Sequence, residues 1–219
     1  MILSPESDGA SIIMIGAFNP TIFQPRWLGA QALIRPEEAE NAKITIIQAE
    51  VADFSTEWFQ LQALQNRFQL TCSDPRQYAP LRDLAAAIFA ILPHTPVTTL
   101  GLTRSFHFKM PSVDSWHGIG HLLAPKESWN PILEAPGLRS MLIQGRSKQG
   151  GGGSLLIKVE PSVKVEYGLY LEVNEQFTAS GDSESEGARW VPDRLADHWD
   201  AILSFSEVVA DHFLGLVKN

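Results

Sequence analysis

The sequence predicts an α+β domain: an antiparallel sheet built from two strands-then-helix halves, with two long helices packed on one face. Three observations lead there. Several short stretches alternate apolar and polar residues, the mark of half-buried strands. Two stretches, 78–92 and 195–216, carry apolar stripes at helical spacing. Each stripe follows a run of strands, so the order of elements repeats along the chain. The 219 residues, 44% of them hydrophobic with six Trp and eleven Phe, suffice for one core. We therefore expect a single domain, 1–219, with a pseudo-repeat of 1–96 and 97–219.

In the first half, "SIIMIGAF" (11–18) reads as a buried strand. "NPTIFQPRWLGAQALI" turns at its prolines and then forms a short helix from Pro25. "ITIIQAEVADF" (44–54), rich in β-branched residues, reads as one strand. In "WFQLQALQNRFQLTCS", Phe59, Leu61 and Ala63 share one parity, and Phe68, Leu70 and Cys72 the other. Parity sets the face of a strand, so the switch demands a turn or bulge near Gln65-Asn66. Asp74, Pro75 and Gln77 start a helix that presents Tyr78, Leu81, Leu84, Ala85, Ile88, Phe89 and Leu92 on one face. Pro93 ends it.

In the second half, "VTTLGLTRSFHFKM" (97–110) alternates, with Leu100, Leu102, Phe106, Phe108 and Met110 facing one way. Further strands are expected at 138–146, 154–160 and 164–177. An acidic loop spans 178–189. The last helix follows Pro192, its stripe made by Leu195, Trp199, Ile202, Leu203, Val209, Phe213 and Leu216. Arg104 falls among the apolar residues of its strand and must be paired if buried; Glu50 or Glu175 is the expected partner.

The net charge is −8, of which −7 lies between Glu175 and Asp211. A broad nucleic-acid surface is disfavoured, because phosphate binding needs clustered Lys and Arg. Only residues 104–164 are locally basic, with eight basic and four acidic residues. That stretch suits an acidic partner surface, such as the acidic end of another copy. The single cysteine, Cys72, allows no internal disulfide, which suits a reducing cytoplasm. No secretory leader and no membrane span are visible in the sequence.

"DSWHGIGHLL" (114–123) places His117 and His121 one helical turn apart, a spacing that permits metal chelation. Asp114 adds a carboxylate but lies roughly 10 Å along the axis from His121. Gly118 replaces the Glu of a metal hydrolase, and Gly118 and Gly120 each disfavour a helix by about 1 kcal/mol. The competing reading packs Val113, Trp116 and Leu123 inward and leaves both histidines at the surface. "GRSKQGGGGS" (145–154) spaces Gly145 and Gly150 like a phosphate loop, but Gly151 stands where the Lys should be. It reads as a hairpin loop, with Arg146 and Lys148 as candidate contacts to an anion or a partner. Cys72 has no neighbours in the pattern that would activate a thiol.

Two segments, 61–89 and 193–216, resemble a group of sporadically distributed, uncharacterised bacterial proteins of about this size. The resemblance rests on the strand ending in "NRF" (66–68), the helix that follows, and a closing helix beginning with the step from Leu195 to Trp199. It covers about a quarter of the chain and consists mainly of packing positions. It implies an α+β fold and a bacterial cytoplasmic protein, and it carries no activity or catalytic residue across. The segment 16–27, "GAFNPTIFQPRW", has no counterpart in that pattern.

The leading expectation is thus a non-enzymatic interaction or accessory protein, acting on a protein partner or as a homo-oligomer, with no cofactor. The alternatives are a small-ligand-binding domain with a pocket between the sheet and the C-terminal helix, and a metal-dependent enzyme using His117 and His121.

Overall fold

The computed structural model describes residues 4–146, 152–179 and 187–216. Its strands are β1 (Ser7–Gly16), β2 (Lys43–Ile47), β3 (Val51–Ser55), β4 (Gln60–Leu64), β5 (Arg67–Cys72), β6 (Val97–Lys109), β7 (Met141–Arg146), β8 (Ser154–Pro161) and β9 (Gly168–Thr178). Its α-helices are α1 (Pro25–Ala30), α2 (Pro36–Glu40), α3 (Tyr78–Ile91), α4 (Val113–Leu123) and α5 (Val191–Leu216). The strands form one antiparallel sheet in the order β2-β3-β4-β5-β1-β6-β9-β8-β7. The α+β class predicted from the alternation is what the chain adopts. Among the described residues, no helix is long and apolar enough to cross a membrane.

Register explains the core. Ile12 lies opposite Leu70 on β5 and Leu102 on β6, and Met14 opposite Phe68 and Leu100. These side chains share one face and are fully buried. Helices α3 and α5 contact each other and that sheet face, α3 over β5 and β1, α5 over β6 and β9. Trp199 of α5 and Leu81, Ile88 and Phe89 of α3 are completely buried there. Burying each such side chain contributes about 1.5–3 kcal/mol.

The segment 16–27 acquires a packing role. Asn19 Oδ1 accepts the Thr21 N–H at 3.2 Å and closes a 3-10 turn over Pro20–Ile22. Phe18 and Phe23, on either side of that turn, join Phe68 and Phe89 in one aromatic cluster, with Phe23 5.0 Å from Phe68. Gly16 is required at the end of β1, since a Cβ there would lie 2.0 Å from the Pro96 carbonyl oxygen.

Four expectations need correction. The stretch 44–54 is a hairpin, β2 and β3, and the turn between them contains Gln48–Glu50, none of them strong turn formers. The strand expected from Lys164 begins at Gly168, because Tyr167 takes a left-handed φ of 51° and the chain turns before it. Val113 of α4 is exposed, and Ile119 is the residue that helix buries. Arg104 is buried, but its partners are Asp8 (Nη2 to Oδ2, 2.9 Å) and Glu207 (Nη1 to Oε1, 3.2 Å). Asp8, on β1 opposite Phe106, and Glu175, on β9 opposite Leu102, each lie one same-face position from Arg104, and the ion pair forms with Asp8. Tyr78 also donates its hydroxyl to Asp8, and burial pushes that phenol above its ordinary range.

The other sheet face is polar. Gln60 and Gln62 donate to Asp53 at 3.0 and 2.8 Å, Ser11 and Thr71 share a hydrogen bond of 3.2 Å, and Asn174 donates to Thr103.

Candidate functional site

The "DSWHGIGHLL" segment does form a helix. Ser112 Oγ accepts the Ser115 N–H at 3.0 Å, which satisfies one of the free donors of the first turn. Trp116 anchors the helix by donating its indole N–H to the Gly168 carbonyl at 3.0 Å, and Ile119 is buried. Tertiary anchoring thus outweighs the propensity cost of Gly118 and Gly120. His117 and His121 are exposed, and His121 Nε2 is 3.5 Å from Glu127 Oε1 across an exposed pair. Among the described residues, no three His, Cys, Asp or Glu side chains converge as metal ligands do.

Beneath α4 lies a cleft of about 320 Å³. Trp116, Ile119, Gly120, Leu138, Pro161 and Leu169 supply its apolar walls, and Lys126, His117 and Glu160 its polar rim. The irregular chain after α4 forms one side, with Ala135 held at a left-handed φ of 49°. Such strain costs a non-glycine residue about 1–3 kcal/mol and tends to gather at functional sites. The two rim charges differ in state. Glu160 accepts from Lys158 Nζ at 2.9 Å, and that bond holds its carboxyl below the usual carboxylate range, with Ser140 and Arg139 contributing. Lys126 is half-buried and makes no ion pair among the described residues. The cleft lies away from α5, whose stripe is packed against the sheet.

Glu160 and Pro161 also line a second, polar hollow of about 360 Å³ on the open sheet face, with Ser105, His107, Lys158, Lys164 and Tyr170. His107 is 5% exposed. Ser162 Oγ accepts the N–H groups of Lys164 (3.1 Å) and Val165 (2.9 Å). Its own proton is therefore free to go to His107 Nδ1, 2.8 Å away, which leaves the imidazole neutral with its hydrogen on Nε2. Burial pushes the imidazole below its ordinary pKa, and the nearby Lys164 charge adds to that. With both lone pairs engaged by backbone donors, Ser162 closes a turn and is poorly placed to act as a nucleophile. Sequence reasoning missed this cluster because it followed the apolar parity of β6 and β9. The signal lay in the other parity, where His107 pairs directly with Tyr170.

A third feature is the distribution of exposed apolar side chains. Of the fourteen large ones among the described residues, nine lie between Val113 and Tyr167. Trp129, Ile132 and Leu133 sit on the chain after α4, and Leu142 and Ile143 on β7. β7 is an outermost strand, paired with β8 in unbroken register over six residues. The opposite outermost strand, β2, carries a register shift between Ile44 and Ile46. Irregularity of that kind blunts an edge, whereas a regular apolar edge invites pairing. Arg146 ends β7, exposed and without an ion pair among the described residues. Lys148, its companion in the glycine-rich stretch of sequence, lies outside the described residues.

No protein-family model matches the chain, and no curated protein matches it either.

Proposed function

We propose that this chain is a protein–protein interaction module of a bacterial cytoplasmic system, and that it self-associates through the free edge of β7. The observation that carries this reading is the sheet order. We read it as two halves, β3-β4-β5-β1 and β6-β9-β8-β7, mirrored about the central β1–β6 pair, each half ending in a long helix. On this reading β3 and β7 are counterparts. β3 pairs with β2, and β7 pairs with no further strand among the described residues. Among the described residues, the second half shows no counterpart of β2.

A second copy is the occupant that supplies it. Two β7 strands related by a two-fold at Ile143 pair antiparallel, with Leu142 opposite Gln144 and Arg146 opposite Ser140. No like charges meet, and the exposed Ile143 side chains of the two copies become cross-strand neighbours. The contact is isologous and closes as a dimer. Light scattering on the purified protein tests this: a dimer is expected, and Ile143→Lys should yield a folded monomer. A protein that is monomeric at every accessible concentration contradicts the proposal.

A further inference from the structure

The cleft beneath α4 shares no lining residue with β7, and its chemistry specifies an occupant. We infer that it binds a small amphipathic monocarboxylate, with a short acyl or aryl body in the cleft and the carboxylate at Lys126.

The volume of about 320 Å³ lies at the lower end of the range for small-molecule sites. The walls are apolar: the Trp116 face, Ile119, Leu138 and Leu169. Trp116 is fixed by its bond to the Gly168 carbonyl, so the wall is preorganised. The rim selects the charge. Its carboxylate, Glu160, is already neutralised by Lys158, and its remaining cation, Lys126, has no partner among the described residues. An apolar body alone would leave a half-buried ammonium without a counter-charge. A cationic ligand would meet Lys126 and would have to displace Lys158 from Glu160. An anion satisfies both constraints. Ala135, which lines the cleft, holds a left-handed φ of 49°, a costly backbone conformation for a non-glycine residue.

One glycine makes the inference testable without damage to the fold. Gly120 lines the cleft, and a Cβ there would meet only the Leu138 Cβ, at 3.9 Å. Gly120→Leu therefore fills the cleft while favouring the helix.

The experiment uses the full chain, with anilinonaphthalene sulfonate as fluorescent probe and octanoate or octanol as competitor. Octanoate should displace the probe at about tenfold lower concentration than octanol, the worth of one charge-assisted contact. Lys126→Met should bring the two competitors together. Gly120→Leu should abolish the octanoate-sensitive signal while unfolding cooperatively in urea. Wild-type protein that shows no saturable, octanoate-sensitive binding overturns the inference. So does unchanged binding by a folded plug variant. Equal displacement by octanoate and octanol removes the claim of anion selectivity, and binding that only a peptide can compete for would assign the cleft to a protein side chain instead.

Discussion

Replacing Arg104 with Met probes the buried ion pair that Arg104 makes with Asp8. Arg104 and Asp8 side chains are 9% and 11% exposed, and their nitrogen and oxygen lie 2.9 Å apart. Glu207, on the other side of the guanidinium, is 63% exposed. The two arms should therefore differ in worth. Removing one partner of a buried pair costs about 3–5 kcal/mol, because the remaining charge stays buried without compensation. An exposed arm is screened by solvent and contributes about 0–1 kcal/mol. Methionine keeps much of the apolar stem against Tyr78 and Phe106, whose ring centroids lie 5.1 and 5.0 Å from the guanidinium carbon. The cavity contribution is thus small. Arg104→Met should cost about 3 kcal/mol, read from the shift in urea midpoint at constant slope. Glu207→Gln should cost less than about 1 kcal/mol. Combining Asp8→Asn with Arg104→Met removes both charges, so the double variant should be more stable than the two separate costs imply. Strict additivity, or a Glu207→Gln cost equal to that of Arg104→Met, would refute the reasoning.

Two further outcomes follow from buried titratable groups. The folded pKa of His107 is depressed below the ordinary 6.5, so the unfolded chain binds more protons as pH falls through that value. Its contribution to stability is fully present above about pH 6.5 and is lost as pH falls below it toward the folded pKa. His107→Gln should flatten that part of the stability profile, and an unchanged profile would contradict the burial argument. Burial pushes the Cys72 thiol up, so iodoacetamide at neutral pH should alkylate the native protein far more slowly than the urea-unfolded one, as mass spectrometry would show.

Periodicity made much of this fold readable. The parity switch at Gln65-Asn66 located the β4–β5 hairpin, and helical spacing located α3 and α5. What escaped was non-local or unmarked. The turn at Gln48–Glu50 lacks Gly, Pro, Asn and Asp, so β2 and β3 read as one strand. Tyr167 adopts a backbone conformation that side chains disfavour, which hid the turn before β9. Asp8, the partner of Arg104, lies 96 residues away, and only strand register brings the two together. In "DSWHGIGHLL", the inward anchor expected at Trp116 is present, its indole bonded to the Gly168 carbonyl. The cleft that Trp116 walls could not be read from the sequence, because the chain between α4 and β7 has no period and its path depends on tertiary contacts.

The claim that β7 pairs with its own copy is tested most directly by a cross-link at the proposed two-fold. Residues facing each other across an antiparallel pair have Cα atoms about 4.5–5.5 Å apart, within disulfide reach. Ile143→Cys, oxidised and run without reductant, should give a covalent dimer whose link joins position 143 to position 143, while buried Cys72 takes no part. A protein that stays uncross-linked under those conditions, or that dimerises without this link, would contradict the account.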